Sequence, residues 1–166
     1  LLRTRGNCSL RIIGGGPLRE SGEMLATALG IADRVRWLGV LDPAGVAREL
    51  RTARALIQFS HTTPSGDREG TPVAVLEAMA SGVPVVGSRH AGIADVIEHG
   101  HHGLLVDCFD LSTLTASLAR LADDANLAAT MGQNATMLVR RRYTRERYID
   151  QLTELIQNAV SAGIEP

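Results

Sequence analysis

Aromatic side chains are scarce in this sequence, with two Phe, one Trp and two Tyr among 166 residues. Such a composition provides no run of stacking platforms for single-stranded nucleic acid. An excess of either charge is also missing: 17 basic residues face 18 acidic ones, for a net charge of −1. The electrostatic footprint of a nucleic-acid binder is therefore not expected. Only two cysteines occur, Cys8 and Cys108, too few and too far apart for a disulfide framework or a cysteine metal site. Free thiols in a reducing compartment are the expectation. No apolar stretch approaches the roughly 20 residues of a membrane-spanning helix, and no signal-peptide pattern is present. A soluble, cytoplasmic location follows as the expectation, with residues 1–166 as a single domain long enough for a full core.

What the chain does contain is an alternation of short apolar runs and helical patterns. Strands are predicted over Cys8–Ile13, Val35–Leu38, Ala55–Phe59, Val83–Val86 and Leu104–Val106. Helices are predicted over Leu18–Leu29, Pro43–Arg54 (with Asp42 as N-cap), the stretch after Thr71, Asp95–Glu98, Leu111–Ala122, Leu127–Arg142 and Arg145–Ala162. This order indicates an α/β fold, a Rossmann-like parallel sheet with helices on both faces. In such sheets ligands bind outside the carboxyl ends of the strands. Gly14–Gly16, Gly39–Val40, the polar loop His61–Gly70 and Arg89–Gly92 all leave strands at that end. Gly14-Gly15-Gly16 is a tight turn suited to close ligand approach. It is no dinucleotide fingerprint, because Pro17, Leu18 and Arg19 follow where a third small residue is needed.

The most informative stretch runs from Glu69 to Gly82, E-G-T-P-V-A-V-L-E-A-M-A-S-G. Thr71 is the expected N-cap, Pro72 suits the first helical turn and Gly82 closes the helix. Glu77 then lies roughly 7 Å up the axis, at about 1.5 Å per residue. It leans back toward Glu69, eight positions earlier. Unpaired amides and the positive pole of the helix mark the same end as an anion site. Carboxylates beside an anion site suit a ligand that carries both hydroxyls and phosphate, and a nucleotide sugar is such a ligand. Two other readings of the pair are weaker. As solvated helix-end charges, they leave unexplained why Glu77 sits among apolar neighbours, where a bare charge is costly. As a glycosidase acid and nucleophile, they would need one raised carboxyl pKa, whereas a helix N-terminus lowers it.

E-x7-E followed by A-M-A-S-G-V-P-V-V resembles the signature of the retaining GT-B glycosyltransferases of family four, the group 1 glycosyltransferases. R-I-I-G-G-G-P-L and R-V-R-W-L-G-V upstream, and H-A-G-I-A-D-V-I-E-H-G-H-H-G-L-L-V downstream, extend the similarity from about Leu10 to Arg142. The E-G-T-P form is similar to transferases that build exopolysaccharides and other bacterial surface glycans.

The resemblance implies the C-terminal lobe of a GT-B fold, a nucleotide-sugar-binding domain, and a hexosyltransferase activity. Glu69 would contact the donor sugar and stabilise an oxocarbenium-like transition state, and Glu77 would hold the ribose hydroxyls. Backbone around Gly70, Thr71, Val73 and Ala74 would take sugar and diphosphate, with Gly15 and Gly16 close by and Val40 near the base. The implied partner is a nucleoside-diphosphate sugar, and configuration would be retained. No cofactor is implied, and without a D-x-D motif no metal is expected.

This sequence departs from the family pattern in several places. The G-R-x-x-x-K-G stretch that grips the diphosphate is not matched, and Arg3 and Arg5 lack its spacing. Neither is the N-terminal acceptor lobe represented. A fragment that is inactive alone is therefore expected. Pro72 often stands as Gly in the family, Ser60 follows Phe59 where Pro-Ser is usual, and Asp95 replaces a Glu.

Three further features have competing readings. His99, His101 and His102 read as a surface turn, since a glycine-flanked loop gives no fixed facial spacing and no carboxylate partner. His90 could face the donor from its loop. Arg140, Arg141, Arg142, Arg145 and Arg147 read as a solvated face, with attraction to the anionic inner face of a membrane as the functional alternative. Trp37 reads as core. The runner-up function is a non-catalytic nucleotide- or sugar-binding module or an inactive paralogue, and a sugar-nucleotide epimerase is a third.

Overall fold

The computed structural model describes residues 1–62, 66 and 70–161. Its strands are β1 (Leu10–Ile13), β2 (Val35–Gly39), β3 (Leu56–Gln58), β4 (Val85–Ser88) and β5 (Gly103–Val106). The helices are α1 (Arg19–Ala28), α2 (Pro43–Arg51), α3 (Val73–Ala80), α4 (Ala91–Val96), α5 (Leu111–Asp123), α6 (Ala125–Arg142) and α7 (Arg145–Ser161). A short 3-10 turn, Ala32–Arg34, precedes β2.

All strand pairing is parallel, but among the described residues it forms two sheets, β1–β2 and β3–β4–β5. The sequence reading expected one. No ladder hydrogen bond joins these two wings among the described residues.

Both faces of the three-stranded sheet are covered. β4 and β5 are buried at every position, as their apolar runs require. Successive residues point to opposite faces. Val85 and Leu105 join Leu50, Val75, Met79 and Ile93 in one cluster. Val86, Leu104 and Val106 join Leu121 and Met131 in the other. Burying each such side chain stabilises the fold by roughly 1.5–3 kcal/mol. Helix α6 serves both clusters, with Ala135 and Val139 in the first and Ala128 and Met131 in the second.

Local chemistry sets the element ends. The Asp42 carboxylate accepts from the Gly45 amide at 2.6 Å and Pro43 opens α2, as expected from sequence. Asp124 caps α6 through the Leu127 amide at 2.8 Å. Asp110 caps α5, and hydrogen bonds from the Thr113 hydroxyl and amide hold its carboxyl below the ordinary value. Several predicted bounds are shifted by a few residues, and two of the shifts have a visible cause. β4 begins at Val85 rather than Val83, because the Val83 amide is still donating to the Ala78 carbonyl at the end of α3. α4 begins at Ala91 rather than Asp95, because the chain turns helical immediately after an extended His90.

The remaining helices carry less of the core. Trp37 is half-buried and packs on α1, where a Cβ on Gly22 would collide with its ring, but it joins neither core cluster. α7 has no buried residue and leaves Tyr148, Leu152 and Leu155 exposed. The five arginines Arg140, Arg141, Arg142, Arg145 and Arg147 are exposed, three of them in the last turn of α6, where cations oppose the negative helix pole. Both cysteines are free. Among the described residues, no helix is long and apolar enough to cross a membrane.

Candidate functional site

The three parallel strands β3, β4 and β5 place their carboxyl ends along one edge, and side chains tie that edge together. The Ser88 hydroxyl, fully buried at the end of β4, donates to the Ser60 carbonyl at 2.9 Å and accepts the Ser60 amide at 2.9 Å. The Cys108 thiol donates to the same carbonyl at 3.3 Å. Arg89 pairs with Asp107 at 3.4 Å, and the rings of His61 and Phe109 lie 5.8 Å apart. Removing the Ser88 hydroxyl deletes two bonds that position the start of the polar loop. Ser88→Ala is expected to lower stability by about 1–2 kcal/mol, read as the shift of the urea midpoint.

His90 belongs to the same edge. Its Nε2 lies 2.8 Å from the Thr62 hydroxyl, whereas its buried Nδ1 has no hydrogen-bond partner among the described residues. A buried orphan nitrogen is costly in a structure built for itself alone, and is accounted for when a ligand supplies the partner.

Helix α3 starts at this edge. Its N-cap is Pro72, with extended ψ of 127°, and not the predicted Thr71. Proline carries no side-chain acceptor, so no side chain caps the helix, and the amides of Val73 and Ala74 at its first turn are not taken by a cap. Thr71 and Val73 are exposed, and Ala74 is half-buried. Glu77 is half-buried one turn further along, and none of the ion pairs among the described residues involves it. Glu69 lies outside the described residues.

Gly92 fixes this helix start against α4. A Cβ there would lie 2.5 Å from the Thr71 nitrogen and 2.6 Å from the Gly70 oxygen. The Gly70–Thr71 peptide thus rests directly on the second residue of α4. Sequence reasoning placed Gly92 in a ligand-facing loop but gave it no such part. From behind, α6 closes on the other end of α3: the Thr136 hydroxyl donates to the Met79 carbonyl at 2.9 Å, and Gly132 meets the Gly82 carbonyl so closely that no Cβ fits between them.

The remaining expected residues gather at the other sheet. Gly14 donates its amide to the Gly39 carbonyl at 2.7 Å, and Gly15 lies 3.9 Å (from an ideal Cβ) from a Val40 methyl. Gly14 and Gly16 have φ of 117° and 151°, a region that side chains rarely reach, so this turn depends on glycine. Gly15, Gly16 and Val40 are all exposed. The structure therefore brings Gly15, Gly16 and Val40 together on one wing, and Gly70, Thr71, Val73, Ala74 and Glu77 together on the other.

None of these residues lines either of two cavities among the described residues. An apolar cavity of about 360 Å³ lies between Phe59, Phe109 and Leu114. Another of about 500 Å³ opens beside His101, His102 and Arg142 at the amino end of β5, away from the strand ends just described. The expected site is instead an open surface of exposed loops and one helix start.

The fold is that of a parallel α/β domain with an exposed helix start at its strand ends, and comparison with known proteins identifies its family. The family described as "Glycosyl transferases group 1" matches residues 1–137. The chain belongs to that family. It is 32% identical over 158 residues to the amylovoran biosynthesis glycosyltransferase AmsK of Erwinia amylovora, covering 95% of this chain and 39% of that protein. The chain thus spans well under half the length of that curated relative. In fold it is similar to Anabaena HepE, solved in complex with UDP-glucose, with a TM-score of 0.76 at 22% identity over 90% of this chain and 41% of the other. It is also similar to the C-terminal domain of the group 1 glycosyl transferase LpcC of Francisella tularensis, with a TM-score of 0.74 at 21% identity over 87% and 74% of the two chains.

Proposed function

We propose that this chain is the donor-binding domain of a retaining glycosyltransferase that moves a sugar from a nucleoside-diphosphate sugar to a glycan or lipid-linked acceptor in bacterial surface polysaccharide synthesis. The observation that carries the reading is the start of α3, where amides that no side chain caps, Glu77 and the Gly70–Thr71 peptide share one exposed surface. The family membership and the UDP-glucose bound to HepE support it.

In this reading, the amides of Thr71, Val73 and Ala74 receive the diphosphate and sugar at the positive pole of α3. Glu77 accepts hydrogen bonds from the ribose hydroxyls. Glu69 contacts the sugar, and its negative charge stabilises the oxocarbenium-like transition state as the bond to the diphosphate breaks. Gly15 and Gly16 let the ligand approach the backbone closely, and Val40 lies near the base. The orphan Nδ1 of His90 gives that side chain a ligand partner on the same edge. The acceptor hydroxyl oxygen bonds to the sugar carbon from the face that the diphosphate leaves and gives its proton to the departing diphosphate oxygen, so configuration is retained. Amides and cations rather than a bound metal neutralise the leaving group, in keeping with the lack of D-x-D. A second lobe supplies the acceptor and completes the active enzyme, and the exposed apolar side of α7 suits a further surface of that assembly. The enzyme works in the cytoplasm, with the exposed arginines near the end of α6 available to the inner membrane face.

Calorimetric titration with UDP, GDP and ADP and their common sugars tests this. One base is expected to bind. Glu77→Ala is expected to weaken it by at least about tenfold, the loss of hydrogen bonds to a charged group. Equal affinities for parent and variant, or no binding of any nucleotide, would contradict the assignment.

A further inference from the structure

The turn between α4 and β5 takes no part in the donor chemistry, yet it holds Glu98, His99, His101 and His102 within five residues. It folds as a tight turn: the amides of His101 and His102 both donate to the Glu98 carbonyl at 3.1 Å, and Gly100 between them has a φ of 83°. The turn brings the side chains of Glu98, His101 and His102 together, so the carboxylate partner that the sequence reading found wanting is present. The three ligating atoms lie within 4.8 Å of one another.

The supporting backbone is held in place. Gly100 donates to the Gly103 carbonyl at 2.8 Å, and Asn134 of α6 donates its side-chain amide to the His101 carbonyl at 3.2 Å. The imidazoles of His101 and His102 meet edge to face with centroids 4.6 Å apart, and the cavity of about 500 Å³ opens beside them.

We propose that Glu98, His101 and His102 form a binding site for one divalent transition-metal ion of the zinc class. Two imidazoles and a carboxylate are the donor set of borderline metals, whereas magnesium and calcium prefer oxygen throughout. Metal–ligand bonds of about 2.0–2.2 Å are reached when the side chains rotate inward by a small amount. The cavity admits water to the remaining coordination position. His99 stays outside the set, because its Nδ1 accepts the Leu105 amide at 3.0 Å. His102 Nδ1 faces the Glu98 amide at 3.3 Å, a long bond that gives way if the metal takes that nitrogen. Asp95, Arg141 and Arg142 also line the cavity. The site sits at the amino end of β5, so the ion pins the turn onto the fold and takes no part at the donor edge.

The test is a titration of the tag-free chain with Zn²⁺ against a chelating indicator, and with Co²⁺ read by its visible absorption. A single equivalent is expected, with the ligand-field bands of low-coordinate Co²⁺ and a raised thermal midpoint that a chelator reverses. Glu98 and His101 are exposed, so Glu98→Gln and His101→Ala should leave the metal-free midpoint unchanged and weaken binding by at least about tenfold. Magnesium should change nothing. Cys8→Ser and Cys108→Ser should bind as the parent does. Equal affinity in the parent and both site variants, loss on removing a cysteine, or no binding at micromolar Zn²⁺ would each overturn the proposal.

Discussion

Gly132→Ala is expected to destabilise the domain by at least about 3 kcal/mol, the upper range for forcing atoms into a packed interior. The reason is geometric. Gly132 faces the Gly82 carbonyl across the contact between α6 and the end of α3, and a Cβ would stand inside the radius of the oxygen and carbon of that peptide. A flexible side chain could swing aside, but a peptide at a helix end cannot. Separation of the two helices would also stretch the bond from the Thr136 hydroxyl to the Met79 carbonyl and open the cluster around Met79 and Ala135. Gly6→Ala is the matched control, since nothing lies within 4 Å of that position. Urea unfolding of the two variants reads the difference. An unchanged midpoint for Gly132→Ala would show that α6 does not seat against α3 as described.

The second large effect is on ligand binding. Gly92→Ala places a methyl 2.5 Å from the Thr71 nitrogen, so the Gly70–Thr71 peptide must move. That peptide leads into the first turn of α3, and an arrangement of amides aimed at a diphosphate tolerates little displacement. Binding of the nucleotide sugar is expected to fall by about ten- to a hundredfold, the loss of hydrogen bonds to a charged group. The helix itself should survive, because its core side chains Val75, Ala78 and Met79 face away from the change and into the first cluster. Far-ultraviolet circular dichroism close to that of the parent, together with lost binding in calorimetry, is the expected pair of results. Binding equal to the parent would remove Gly92 and the peptide it supports from the site.

Much of this architecture was legible because it rests on local signals. The capping aspartate before Pro43, the apolar runs of β4 and β5 and the helix after Pro72 all depend on residues a few positions apart. The family resemblance, carried by ordered motifs from β1 to the turn before β5, was legible for the same reason, and the family match agrees with it. What could not be read depended on approach between distant segments. Nothing local says that β1 pairs with β2 alone, or that Gly92 lies under Thr71. Gly132 left a trace, since a glycine inside a helix costs about 1 kcal/mol relative to alanine and so hints at a packing reason. The N-cap was misplaced by one residue, because Thr71 has the better capping side chain whereas Pro72 has the required extended backbone. The histidine turn was discounted for want of a carboxylate, although Glu98 stood three residues before His101. The turn at Gly100 that gathers Glu98, His101 and His102 became evident only in three dimensions.

The most direct test of the central claim is an amide chemical-shift map of the isotopically labelled chain, recorded as a nucleoside-diphosphate sugar is added to millimolar concentration. The account predicts that the amides of Gly15, Gly16, Val40, Thr71, Val73, Ala74 and Glu77 move together with a single affinity, and that the turn from Glu98 to His102 stays still. Shifts confined to that turn or to α7, or an unchanged spectrum with every base, would contradict it.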